Sequence, residues 1–137
     1  MTQAIETTFR RSLLDGNFDL VFAYENEDFT PTIGTPWARV VHDPLMPEAV
    51  TLSATGEDEH RGDFRLELYY PKGRGVEEIN TKADEFRAYY QAGVRFTHNG
   101  QEIGIVNCGR SGGRTVDGWW SLSVIIEYWA RTTRSAA

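Results

Sequence analysis

The sequence predicts an α+β fold: a single domain with a mostly antiparallel sheet and two helices packed on one face. Three observations predict it. Asp63–Tyr70 alternates strictly, with Phe64, Leu66, Leu68 and Tyr70 on one side and Asp63, Arg65, Glu67 and Tyr69 on the other. That is the period of a half-buried strand. Beyond Pro71, Gly73 and Gly75, the residues Val76, Ile79, Ala83, Phe86 and Tyr90 recur at helical spacing. Charged residues fill the rest of that wheel, so the helix is amphipathic. Finally, the element order is helix, three or four strands, helix, two strands. It fits hairpins with helices segregated to one face better than alternating βαβ units.

The first helix is predicted over about residues 3–14. Ile5, Phe9 and Leu13 form one stripe, and Asp15-Gly16-Asn17 ends it. Leu20–Tyr24 reads as a strand. ENEDFTPTIGTP is a polar loop punctuated by Pro31, Gly34 and Pro36. Trp37–His42 is the next strand, broken by Asp43-Pro44 and Pro47, and Ala49–Ala54 is a third with Val50 and Leu52 inward. TGEDEHRG then reads as the loop of a long hairpin joining Ala49–Ala54 to Asp63–Tyr70. After the helix at about 76–92, Gly93 is a stop and Asn99-Gly100 a turn, and Glu102–Asn107 is a short strand. CGRSGGRTVDG is a glycine-rich loop leading into a last strand, Trp119–Ala130. RTTRSAA is a polar tail. The domain is expected to end at residue 131, with 132–137 disordered.

The chain has 137 residues, the length of one domain. Its net charge of −6 argues against a general nucleic-acid binder, which presents a basic surface. Twelve of the fourteen basic residues are Arg, the residue suited to bidentate, interfacial pairing. Cys108 is the only cysteine, so neither an intrachain disulfide nor a cysteine-based zinc site can form within one chain. No apolar run reaches the ~20 residues of a membrane span or forms a secretory core. These features read as a soluble protein folding in a reducing cytoplasm.

No residue pattern calls for catalysis, a metal or a cofactor. His42, His60 and His98 lie in three different elements without paired ligand spacing. They read as surface or strand-edge histidines. Cys108 has no nominated base and reads as a small buried thiol. PKGRG and GRSGGR fit neither phosphate-binding glycine pattern. They read as turn and hairpin tips, where Arg110 and Arg114 are candidates for contact with a partner or a phosphate. The carboxylates of Glu25–Asp28 and of Glu57, Asp58 and Glu59 read as solvated acidic loops. The aromatics are more informative. Trp119 and Trp129 share the face of the last strand opposite Trp120, Leu122 and Val124. A second helix layer, or another subunit, would have to cover them, and both readings stand at this point.

Taken together these stretches carry a resemblance. The N-terminal helix, the strand leading to YENEDFTP, Trp37 in the next strand, RGDFRLELYYPKGRG, the amphipathic helix and WWSLSVIIEYWA occur in an order and spacing that resembles the bacteriophage tail terminator-like family. The likeness covers about residues 3–131. It implies a ring-former, typically hexameric, that caps the finished tail tube, stops its polymerisation and presents a surface to the head-completion protein. It implies as partners other copies of the chain, the tail tube protein and the head-completion protein. Genomic DNA would pass through the channel without specific binding, and there would be no membrane partner. It places the protein in the host cytoplasm during assembly and then in the virion tail or neck. No catalytic residue and no cofactor is carried over, so no enzyme is expected. On that reading Arg110, Arg114, Trp119 and Trp129 are interface candidates, and Glu57, Asp58 and Glu59 are candidates to face the channel. Another head–tail connector or tail-tube component is the alternative. A small ligand-binding domain or hydrolase is the reading from a different class.

Overall fold

The computed structural model describes residues 2–51 and 56–133. Helices α1 (Thr2–Gly16) and α2 (Glu77–Tyr89) lie on one face of an eight-stranded sheet. The strands are β1 (Val21–Tyr24), β2 (Trp37–Pro44), β3 (Glu48–Ala49), β4 (Glu57–Pro71), β5 (Arg95–His98), β6 (Gln101–Arg110), β7 (Arg114–Val116) and β8 (Trp119–Thr133). The main path runs β1-β2-β4-β8-β6-β5, with β3 on β4 and β7 on β8. Every pair is antiparallel except β1–β2, so the sheet is mixed. The parallel pair arises because the Glu25–Pro36 loop returns the chain to the start of β1, matching Val21 to Trp37. The upper end of the sheet is taken as the end holding Trp37, Pro71 and Trp119. The lower end holds Pro44, Glu57 and Thr133.

The helices form where the apolar stripes require. Ile5, Phe9 and Leu13 of α1 and Ile79, Ala83 and Phe86 of α2 are all buried. They join Phe64, Leu66, Leu68, Leu122, Val124 and Ile126 in one core. Helix α1 ends where Asn17 turns left-handed (φ 52°) and Phe18 folds back onto Gly16. Helix α2 has no side-chain cap at Val76, but Glu77 and Glu78 sit in its first turn and Arg87 in its last. Those placements favour the helix dipole. Aromatic rings bind the layers: Phe9 stacks on Phe64 at 3.9 Å between centroids, and Phe18 meets Phe86 at 4.2 Å. The Tyr90 and Ser12 hydroxyls are hydrogen-bonded at 2.7 Å, and the Tyr89 hydroxyl donates to the Ser12 carbonyl at 2.8 Å.

Several sequence expectations need correction. The third strand is only Glu48–Ala49, with Val50 exposed; Leu52 lies outside the described residues. It pairs with Asp58 and Glu59, whereas the stretch from Gly62 to Tyr69 pairs with β2. Glu57, Asp58 and Glu59 are not a loop. They open β4, because β8 continues opposite them as far as Thr133. Both faces are polar there, so no apolar alternation marks the strand. β5 and β7 are also strands where none was expected, each short and exposed along much of its length. CGRSGGRTVDG is therefore the end of β6, a break at Ser111–Gly113, β7 and a tight Asp117-Gly118 turn with φ of 47° and 81°. Ser111 pins the break, its N–H donating to the Ser123 carbonyl and its Oγ accepting from the Ser123 N–H. β8 also passes the expected domain end at residue 131, and Thr132 is buried.

At the lower end His60 Nε2 lies 2.7 Å from the Thr132 hydroxyl, and both side chains are buried. Burial holds this imidazole below its ordinary value, with the Asp58 carboxylate pulling the other way. The fold thus prefers neutral His60, and the unfolded chain takes up a proton first as pH falls. Its contribution is intact above about pH 6.5 and is lost below that, down to the lowered folded value. The melting temperature should therefore decline as pH drops below ~6.5, and less steeply in His60→Asn. Equal slopes in the two proteins would show that His60 is not the titrating group.

Candidate assembly surface

Strands β4 and β8 pair over fifteen residues. Alternation puts Phe64, Leu66 and Leu68 against the helices and turns Arg61, Asp63, Arg65 and Glu67 to the other side. Register carries that second face across β8 through Trp119, Ser123, Ile125, Glu127, Trp129 and Arg131. Neither helix covers it, which answers the question posed by the tryptophans: the helices are both on the opposite face.

The open face is dense in charge but locally balanced. Arg65 lies 3.0 Å from Asp43 and 3.3 Å from Glu67, Arg61 3.4 Å from Glu59, Arg131 3.6 Å from Glu57, and Arg95 3.1 Å from Glu102. Exposed pairs of this kind contribute at most about 1 kcal/mol each. Their larger effect is to keep the face hydrated and without a strong field of one sign.

The candidate residues separate into two groups. Trp119 lies at the upper end, edge-on to Trp37 at 6.1 Å, and Trp37 stacks on Tyr69 at 4.2 Å. Arg114, opposite Ser121, and Arg110, opposite Val124, occupy the same hairpin but by register point to opposite faces. Both are exposed. Trp129 lies toward the lower end. Its indole covers Gly104, where an added Cβ would come within 2.4 Å, and the Arg95 guanidinium sits 5.2 Å from its ring. An open depression of about 430 Å³ surrounds it, lined by Glu59, Arg61, Gly100, Glu102 and Arg131. The structure thus brings Glu59 and Trp129 together. Glu57 shares their side, while Asp58 falls on the helix side.

A larger groove of about 900 Å³ lies between the end of α1, β1 and the first half of α2, floored by Phe18, Leu20, Phe22 and Tyr70. Its cation, Lys82, is engaged by the Phe18 carbonyl at 2.7 Å and by Glu85 at 3.0 Å.

Sequence reasoning missed His42. Its side chain is only 5% exposed. Nδ1 lies 2.8 Å from Glu6 Oε1 and Nε2 2.6 Å from the Tyr128 hydroxyl, and the ring stacks on Phe64 at 4.3 Å. The signal was available: His42 shares its side of β2 with Ala38 and Val40, both buried. The arrangement resembles a catalytic relay in outline only. Burial first, then Glu6 and Asp63, push the Tyr128 hydroxyl up to about 12, the opposite of an activated nucleophile. Cys108 is likewise pushed up by burial to about 11, with Arg87 opposing. Among the described residues no group of His, Cys, Asp or Glu could hold a metal ion. No described helix is long and apolar enough to cross a membrane.

The model of a phage tail terminator protein family matches residues 2–128. The chain belongs to the phage tail terminator family. The match takes in both helices and nearly all of the sheet, including Trp119, and ends one residue before Trp129. Proteins of this family are structural components of phage tails. One solved structure shares the fold at a TM-score of 0.76 and 20% identity, covering 95% of each chain. At that identity the likeness speaks for the fold alone. No curated protein sequence matches this tail terminator.

Proposed function

We propose that this chain is the subunit of a ring that caps the finished tail tube, ends its polymerisation and presents the joining surface to the head. Family membership over residues 2–128 carries the reading. The partners are other copies of the chain (six by resemblance), the tail tube protein and the head-completion protein, with genomic DNA passing through unbound. Assembly takes place in the host cytoplasm, and the ring stays in the virion neck. The helix-free face supports this role, because a protein with one covered and one uncovered sheet face has surface to share. The contact residues are Arg114, Trp119 and Trp129 on that face and Arg110 on the other. Of the three channel candidates, Glu57 and Glu59 share one side of β4 and face the channel, while Asp58 lies on the helix side; the pairing of Glu57 with Arg131 and Glu59 with Arg61 moderates the acidic wall.

The test is genetic and visual. Without this gene, tails are expected to vary in length and remain unjoined to heads in electron micrographs, with wild-type protein restoring both. Tails of normal, uniform length in its absence would refute the reading.

A further inference from the structure

We propose that the groove beside β1 receives an extended segment of another protein, which adds to the free edge of β1 and sets an arginine or lysine, flanked by apolar residues, into the groove. The groove lies on the helix side of the sheet, away from the open face.

The backbone there is open to an added strand. β1 ends the sheet on that side and pairs only with β2, so its other edge is free. The floor beside that edge is apolar and already in place. Phe18 meets Phe86 at 4.2 Å, and Phe22 meets the same ring at 6.3 Å. Lys82 Nζ donates to the Phe18 carbonyl at 2.7 Å and so ties the floor to α2. Leu14 and Val21, both exposed, carry the apolar surface out to the rim. A groove held open in advance lowers the ordering cost of docking.

Tyr70 is the polar member of the floor. The residue is only 8% exposed, yet its hydroxyl has no hydrogen-bond partner among the described residues. Buried hydroxyls are rarely left in that condition. Burial first, then Glu78 and Glu85, push this hydroxyl up to about 12, so both carboxylates act on one point of the floor.

The walls set the charge of what enters. Asp19, Glu77, Glu78 and Glu85 line the groove against a single cation, Lys82, which Glu85 and the Phe18 carbonyl already engage. The carboxylates of Asp19, Glu77 and Glu78 make no ion pair or hydrogen bond among the described residues. Lys72 and Arg74 stand in the turn before α2, outside the lining, and pair with none of these acids. A guanidinium or ammonium fits this arrangement, donating to the Tyr70 oxygen and to the Glu78 carboxylate. On an added strand, the residues two positions to either side would point the same way and rest on Phe18, Leu20 and Phe22.

The test titrates the isotope-labelled full chain with the peptide acetyl-Leu-Thr-Arg-Thr-Leu-amide, followed by NMR at about 50 mM salt, where charge pairing is weakly screened. Saturable backbone shifts are expected over residues 13–22 and 77–85. Glu78→Gln, or citrulline in place of the peptide arginine, should each weaken binding at least about tenfold. Tyr70→Phe should weaken it several-fold with no change in melting temperature, because the oxygen removed bonds nothing within the chain. No saturable shift, shifts centred elsewhere, equal binding of the citrulline peptide, or a lowered melting temperature in Tyr70→Phe would each overturn the proposal. Argininamide binding as tightly as the peptide would make the occupant a small cation. Self-association lost in Glu78→Gln, measured by sedimentation velocity, would make it a second copy of the chain. Either result would displace the partner proposed here.

Discussion

Replacing Phe9 with alanine is expected to destabilise the protein by about 3–5 kcal/mol, the range for emptying a buried aromatic site. Phe9 is fully buried and stacks on Phe64 at 3.9 Å with the rings almost parallel, and it also meets Tyr90 at 5.3 Å. One side chain therefore joins α1 to the sheet and to the end of α2. The cavity left behind has little means of closing, since its walls are rings held by other contacts: Phe64 against Tyr128, and Tyr90 against Ser12. Domains are stable by only about 5–15 kcal/mol, so this change alone takes the fold near its limit. Urea unfolding monitored by circular dichroism measures it. Leu14→Ala, one position round the helix from Leu13 and 68% exposed, is the internal control and should lie within about 0.5 kcal/mol of wild type. If the two variants behave alike, α1 is not docked as described.

His42→Leu should cost about 3 kcal/mol despite similar volume, because it leaves polar partners unmatched. With Glu6 hydrogen-bonded to Nδ1 and the Tyr128 hydroxyl to Nε2, the chain Glu6–His42–Tyr128 is satisfied along its length. Leucine removes the middle member. Tyr128, almost wholly buried, then keeps a hydroxyl without its partner. A cycle with Tyr128→Phe separates this from simple packing loss. Deleting both polar groups should cost less than the sum of the single changes by about 1 kcal/mol or more. Strict additivity would mean the three side chains do not act as a unit.

The parts of the fold legible in the sequence are those with one strongly apolar side. Phe64–Tyr70, Leu122–Tyr128 and the stripes of both helices state their period directly and are buried as read, except Val76, which precedes α2 and is exposed. The sequence also sufficed to place the two-residue turn at Asn99-Gly100, whose backbone is left-handed at both positions. What failed has a common cause. Residues 57–61, β5 and β7 pair with neighbouring strands through the backbone, and their side chains are mostly polar or exposed, with Phe96 of β5 a lone aromatic packed on the core. Periodicity has nothing to register there. The parallel β1–β2 pair was illegible for another reason, since it depends on where a long loop returns the chain. The assembly surface divides the same way. Its aromatic and charged members stood out as residue types, but the meeting of Trp129 with Glu59 depends on the register of β4 against β8.

The length of that ladder has a mechanical consequence. Fifteen paired residues extend about 50 Å along the strands at ~3.3 Å per residue. A compact chain of this size would be only roughly 37 Å across, taking a radius of gyration near 14 Å. One unbroken spar thus outreaches the globule built around its middle. A push at the Glu57 end of β4 is carried toward Trp119, because the two strands brace each other along the whole span. It arrives at the far end as a tilt. In a closed ring such a tilt would pass from each member to the next, so that seating one subunit sets the pitch of all of them.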